Sequence, residues 1–239
     1  MSAMHEMTIA SCGGPTLRLV PAPWRLKGSG LIMLLKSNTE QLKQQTSLPS
    51  EYKESLSKVF NILMLVNYED SDCGPYQELL FIPGTIDLGD KRLPSISNIF
   101  VSSETSVVNG RNNWGIPKNR CDFSWNKDAN GVIRVTSSAD GQCFFNIEYR
   151  GHGPQFPANT AWIPKKLKTL GQIWEDQRFV FAPKAKGKAR HARITSLNVA
   201  SSLFPEISLQ QLITAFEITS FDMDFPVPDI TALNHDTNT

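Results

Sequence analysis

The sequence predicts a mainly β fold of α+β composition, a single domain built on an antiparallel sheet closed or nearly closed on itself, with a few short helices. Three observations carry that expectation. Short runs of β-branched and aromatic residues, separated by turn residues, recur along most of the chain. Helical spacing of apolar residues is confined to two or three short segments, too few to supply the crossovers of a parallel sheet. The 239 residues with 40% hydrophobic content suffice for one substantial core, and no clear linker divides them.

Taken in order, strands are expected at 31–36, 61–68, 78–83, 97–102, 121–125, 132–137, 143–150, 178–181, 193–200 and 214–223. Asp128-Ala129-Asn130-Gly131, between two of these runs, is a hairpin turn. Helices are expected at 39–45 and at 49–60, where Tyr52, Leu56, Val59 and Phe60 recur at helical spacing, with a third at 208–212. Residues 1–20 read as an N-terminal arm, 21–225 as the domain, and 226–239, with Pro226, Pro228 and a polar end, as a mobile tail. The stretch 37–57 is polar and rich in Gln, Ser and Lys, and reads as a surface insertion, a lid or an oligomer contact. Lys184, Lys186, Lys188, Arg190 and Arg193 read as a solvated basic loop, with phosphate or an acidic partner as the sharper alternative.

Charge and cysteine usage exclude more than they reveal. With 24 basic and 23 acidic side chains the formal net charge is +1, so no global field draws the chain to nucleic acid or to a membrane. Cys12, Cys73, Cys121 and Cys143 are irregularly spaced and read as reduced thiols, which favours a cytoplasmic setting. The opening is too polar for a secretory h-region, and no apolar stretch is long enough to span a bilayer. His5, His152, His191 and His235 lack metal-ligand spacing, and there is no phosphate loop, dinucleotide fingerprint or Gly-x-Ser-x-Gly, so neither a metal nor a cofactor is expected.

The segment that carries chemistry is Gly110-Arg111-Asn112-Asn113-Trp114-Gly115-Ile116-Pro117-Lys118. Lysine is a nucleophile only as the free amine. With a pKa of about 10.4, an unperturbed lysine is unprotonated in roughly one molecule in two to three thousand at pH 7. A reactive lysine therefore needs a dry pocket or a second cation beside it. Trp114, Ile116 and Pro117 would form the apolar wall, and Arg120 falls on the same face as Lys118 if the chain is extended. The bland alternative is a surface lysine beyond a turn.

Gly-Arg, then an aromatic residue, Gly, an apolar residue and Pro-Lys resembles the Schiff-base lysine motif of acetoacetate decarboxylase. Gly74-Pro75-Tyr76-Gln77-Glu78-Leu79 is similar to the family's Tyr-x-Glu segment, Val66-Asn67-Tyr68-Glu69 to an acidic strand before it, and Pro23-Trp24-Arg25-Leu26-Lys27-Gly28 to its Pro-Trp and Gly-rich opening. The resemblance spans roughly 21–225 and is nearest to fungal-type members. It implies a β-barrel or cone with the lysine in its interior, assembled into homo-oligomers, with a role in acid-to-ketone or secondary metabolism. One departure stands out. The decarboxylase has a second lysine directly after the first and is itself the standard example of an amine activated by a neighbouring cation or by desolvation, whereas this chain has Asn119. Pro164-Lys165-Lys166 matches the doublet literally but lacks the Gly-Arg and Trp-Gly context, and reads as solvated surface.

On this reading Lys118 forms the imine and Glu78 shuttles protons or orients the carbinolamine, with Glu69 a second carboxylate. Arg25 or Arg111 would grip a substrate carboxylate; Arg111 equally fits a loop pinned by bonds to backbone carbonyls. Glu78, at the head of an apolar strand, also fits a solvent-facing edge. Tyr76 and Trp114 would shape the pocket. The leading function is decarboxylation of a small or medium β-keto acid. Aldolase, dehydratase or cyclase-type chemistry on a keto substrate, or a barrel that binds a carbonyl ligand without turnover, are the alternatives.

Overall fold

A computed structural model of the chain describes residues 8–9, 17–57, 60–200 and 202–233. Ten strands form the main sheet: β1 (Trp24–Leu35), β2 (Asn61–Ser71), β3 (Tyr76–Ile82), β4 (Asn98–Val101), β5 (Lys118–Arg120), β6 (Asp122–Lys127), β7 (Ile133–Ala139), β8 (Gln142–Asn159), β9 (Lys184–Val199) and β10 (Leu212–Phe225). Their spatial order is β6-β7-β8-β9-β10-β1-β2-β3-β4-β5. Neighbours are antiparallel except β4 and β5, which pair in parallel with Ile99 opposite Lys118. The outermost strands, β5 and β6, are separated in sequence only by Cys121, so the two edges of the sheet meet at one residue and the barrel is nearly closed. Burial pushes the Cys121 thiol up to about 12, so the seam is chemically quiet.

The strand period of two sorts side chains between two apolar clusters. Nine of the ten strands, together with Cys121, supply the first, in which Leu31, Met33, Leu35, Leu63, Leu65 and Phe81 are 0% exposed. Each such side chain stabilises the fold by about 1.5–3 kcal/mol relative to exposure. Leu80 and Ile82 of β3 point the other way, into a second cluster with Trp24, Val66, Tyr68 and Ile99. That face is covered by the helix α3 (Glu104–Trp114), through Val107 and Trp114, and by Phe179 and Phe181 of the strand Gln177–Phe181.

Nine of the ten expected strand runs lie in the main sheet; the remaining one, Gln177–Phe181, pairs with Leu170–Trp174 and Asp229–Ala232 in a sheet of three. The expected mobile tail therefore begins too early, because 229–232 are a paired strand and Leu233 N–H donates to the Asp176 carbonyl at 2.8 Å. Residues 234–239, and most of the expected N-terminal arm, lie outside the described residues. The basic run is not a loop. Lys184, Lys186 and Lys188 are exposed on β9, alternating with Ala185, Gly187 and Ala189 between β8 and β10.

Asn38 caps the helix α1 (Thr39–Gln45) by accepting from Glu40 N–H at 2.9 Å. The helix expected at 49–60 is cut short to α2 (Ser50–Lys53), since the chain then pairs Ser57 with Thr85 through two backbone bonds of 2.9 and 3.2 Å. The third is a single 3-10 turn, Leu209–Gln211. The polar 37–57 stretch is well anchored, with Leu42, Leu48 and Leu56 buried in the first cluster and Ser37 N–H donating to the Asn61 side chain. Cys73, Cys121 and Cys143 are free thiols, and Cys12 lies outside the described residues. No helix among the described residues is long and apolar enough to cross a membrane.

Candidate active site

The Gly-Arg motif, expected to be a turn, is the last turn of α3. Ser103 starts this helix by accepting from Ser106 N–H, and Gly115 ends it in the left-handed region at φ 63. The Gly115 and Ile116 amides donate to the Arg111 and Gly110 carbonyls at 2.9 and 3.2 Å, which closes the helix before Pro117 feeds Lys118 into β5. The lysine stem then crosses α3 at Gly110. A Cβ there would lie 2.6 Å from Lys118 Cδ and 2.8 Å from Cε, so only glycine leaves room for the side chain. Arg111 Nε and its terminal nitrogen donate to the Lys118 carbonyl at 3.0 and 2.5 Å, and the guanidinium also reaches Asn119 Oδ1 and lies over the Trp174 ring. Arg111 thus ties β5 to the helix and is not available to a substrate carboxylate.

Lys118 Nζ donates to Glu78 Oε2 at 2.9 Å and to Ser106 Oγ at 3.1 Å, and sits 5.1 Å from the centre of the Tyr76 ring. Tyr68 Oη donates to the other Glu78 oxygen at 3.0 Å. The lysine and glutamate side chains are 6% and 4% exposed. An ion pair this deep must be held by further hydrogen bonds to offset desolvation, and Ser106 and Tyr68 provide one each. Burial first, and then the Glu78 charge, raise both the Tyr68 and Tyr76 hydroxyls well above the ordinary phenol range, so Tyr68 remains a proton-bearing donor to the carboxylate. The rings of Tyr68 and Tyr76 lie 4.5 Å apart.

A cavity of about 430 Å³ opens beside the pair, walled by side chains that include Trp24, Met64, Leu80, Trp114 and Ile116. Trp24 meets Trp114 edge-on at 4.9 Å, and Trp114 Nε1 donates to the Pro226 carbonyl at 2.6 Å, so the indole is a fixed wall. An amine and a carboxylate in hydrogen-bond contact, next to a largely apolar chamber, can exchange a proton while the amine engages a carbonyl carbon.

The other expected contributors are elsewhere. Arg25, its side chain 88% exposed, points to Asp224 and not into the cavity. Glu69 is exposed on β2, one residue out of phase with the inward-facing Tyr68, and accepts from Ser29 Oγ at 3.4 Å. Arg120 is 42% exposed and turns to Asp122 at 2.9 Å and to the Cys121 carbonyl, so it does not take the place of a second lysine. The alternation on a strand puts Arg120 on the face of Lys118, but the strand ends there and its long side chain swings to solvent. Lys165 and Lys166 lie on a short exposed helix. Two residues of the site were not anticipated. Tyr68 was legible through its spacing from Val66 on a strand; Ser106 was not, because a helix rich in Asn, Val and Gly carries little helical pattern beyond the Ser103-Glu104 start.

Neither a scan of protein-family models nor a search of curated proteins by sequence returns a match. Solved structures do. The acetoacetate decarboxylase of Legionella pneumophila superposes with a TM-score of 0.71 at 13% identity, over 97% of this chain and 98% of that one. The fold is the one that enzyme has. An acetoacetate decarboxylase-like enzyme from Sphingomonas wittichii RW1 gives a TM-score of 0.62 at 11% identity, covering 90% of this chain and 95% of its own. The enduracididine biosynthesis enzyme MppR, in complex with pyruvate, gives 0.61 at 10% identity, with 89% and 91% covered. Another structure of MppR holds the condensation product of pyruvate and imidazole 4-carboxaldehyde. The architecture is thus shared by an acetoacetate decarboxylase and by an enzyme of enduracididine biosynthesis.

Proposed function

We propose that the protein is a Schiff-base-forming carbon–carbon lyase acting on a keto substrate through Lys118, with decarboxylation of a β-keto acid as its leading reaction. The observation that supports this most directly is the buried contact of 2.9 Å between Lys118 Nζ and Glu78 Oε2 at the wall of the cavity. The proton that Lys118 sheds has an acceptor in place. The free amine adds to the ketone carbon, and Glu78 delivers a proton to the carbinolamine oxygen as water leaves and the iminium forms. The bond to the carboxylate then breaks, its electron pair passes into the iminium to give an enamine, and carbon dioxide departs. Protonation at carbon and hydrolysis release the ketone and restore the amine. Tyr68 and Arg111 position the carboxylate and the lysine strand, and Ser106 orients the amine.

One observation favours the second reading, aldol or dehydration chemistry on the same iminium. Among the described residues the cavity lining contains Lys118, Lys168 and Lys186 but no arginine, so no bidentate clamp awaits a carboxylate. The residue after Lys118, Asn119, bonds to Arg111 and adds no second cation. A cytoplasmic setting and chemistry without a cofactor remain part of the proposal on the strength of the cysteine usage and the motifs, and a homo-oligomer on the strength of the resemblance.

The test is borohydride trapping with a panel of keto acids and ketones at pH 6–8, followed by peptide mapping. The expected result is a reduced adduct at Lys118, absent from Lys118→Ala, with substrate turnover lowered at least about 10⁴-fold in that variant. Release of carbon dioxide separates decarboxylation from the aldol reading. No adduct at Lys118 in folded protein sinks both enzyme readings and leaves a carbonyl-binding barrel.

A further inference from the structure

The cavity does not end at the reacting pair. It continues along three adjacent strands, where the register puts two rungs beyond the level of Gly30, Val66 and Glu78: first Ile32, Met64 and Leu80, then Leu34, Ile62 and Ile82. All six line the same cavity as Lys118, and all six are apolar. At roughly 3.3 Å per residue, four residues of strand extend this channel about 13 Å past Glu78.

Four of the six channel side chains, those on β1 and β2, differ from their neighbours in packing; Leu80 and Ile82 are buried. Leu31, Met33, Leu35, Leu63 and Leu65, on the opposite face of β1 and β2, are 0% exposed. Ile32, Leu34, Ile62 and Met64, interleaved with them on the same two strands, are only half-buried. These strands lie in the middle of the sheet, where an apolar face is ordinarily covered by protein. Leaving such surface in contact with water is unfavourable unless something apolar occupies the space. A volume of about 430 Å³ is in the range that holds drug-sized ligands rather than four-carbon acids.

We propose that the substrate is a keto compound with an unbranched aliphatic tail of about eight to ten carbons, its carbonyl at Lys118 Nζ and its tail along the channel from Ile32 to Leu34. The tail length follows from the channel, since an extended hydrocarbon advances about 1.3 Å per carbon–carbon bond. Placement of the carbonyl rests on the Schiff-base reading; the tail channel does not.

The test is a series of linear methyl ketones of four, six, eight, ten, twelve and fourteen carbons, with binding measured by calorimetry and imine formation by borohydride trapping in parallel. Affinity is expected to rise about three- to fourfold per methylene up to about ten to twelve carbons in total, a tail of about eight to ten, and then level off. Met64→Trp, which fills the first rung, is expected to lower the ratio of ten-carbon to four-carbon affinity at least tenfold. A flat series, or one that peaks at four carbons, overturns the inference, and the wild-type series decides this even where the variant does not fold. An adduct with a flat series leaves the lysine chemistry standing and removes the tail; a rising series with no adduct does the reverse.

Discussion

The two faces of β1 and β2 are made from the same kinds of residues and do different work. On one face leucine and methionine side chains interlock with nine strands and are sealed from solvent; on the other, isoleucine, leucine and methionine line a cavity and are half open. Composition is nearly constant across the sheet, so the difference is one of what lies opposite. The first face closes on the rest of the barrel. The second is covered by α3 only near the Lys118 end, where Val107, Trp114 and Ile116 pack. The packing predicts that stability is concentrated on the closed face, and the proposed tail channel puts binding on the open one.

The sharpest way to break this contrast is to truncate adjacent residues on opposite faces. Leu65→Ala is expected to cost about 3–5 kcal/mol, because it leaves a cavity in a packed core, while Met64→Ala is expected to cost under about 1.5 kcal/mol, since its side chain already borders open space. Denaturant unfolding of the two variants checks this, and equal losses would mean that the faces are energetically alike.

Gly110→Ala tests the covered end of the open face. Helix propensity alone predicts a gain of up to about 1 kcal/mol for this change. The contact with the Lys118 stem predicts the opposite sign, a loss of about 1–3 kcal/mol, together with a slower rate of imine trapping. A stabilised variant with unchanged trapping would show that the lysine does not need this groove.

The smallest effect concerns pH. Burial raises the Tyr68 and Tyr76 phenols in the folded protein, whereas in the unfolded chain they ionise near the ordinary value of about 10. Their contribution to stability is therefore fully present below about pH 10 and is lost as pH rises from there through the folded-state values, because the unfolded chain then binds fewer protons. Urea midpoints measured from pH 8 to 11 should fall above pH 10, and less steeply in Tyr68→Phe. An identical slope in that variant would assign the loss to other groups.

Much of this arrangement was legible before the fold was known. The expected strand runs rest on β-branched and aromatic residues between turn residues, and the joint role of Glu78 and Lys118 on the resemblance carried by two short motifs forty residues apart. The misses share a cause. Helix α3 has Thr, Val, Asn and Gly in place of strong helix formers, so its existence depends on packing against β4 and β5 rather than on its own pattern. The basic run on β9 alternates with small residues, and that period of two was outweighed by its charge. Arg25 and Glu69 belong to segments that resemble the family's motifs, and such a resemblance carries no information about which face a strand residue takes once a bulge shifts the register, as it does between Lys27 and Gly28.

By itself, the sequence determined what is local: a β-rich chain with turns at readable places, a proline-bound lysine in an apolar context, and a carboxylate at the head of an apolar strand. Tertiary structure alone decided that Ser106 completes the lysine–glutamate pair, that Arg111 holds a strand and not a substrate, and that one apolar face is filled while the other stays open. The reason is that strand alternation and turn chemistry act over a few residues, whereas burial and side-chain partnership depend on register between segments far apart in the chain, which the sum of many weak packing contacts sets.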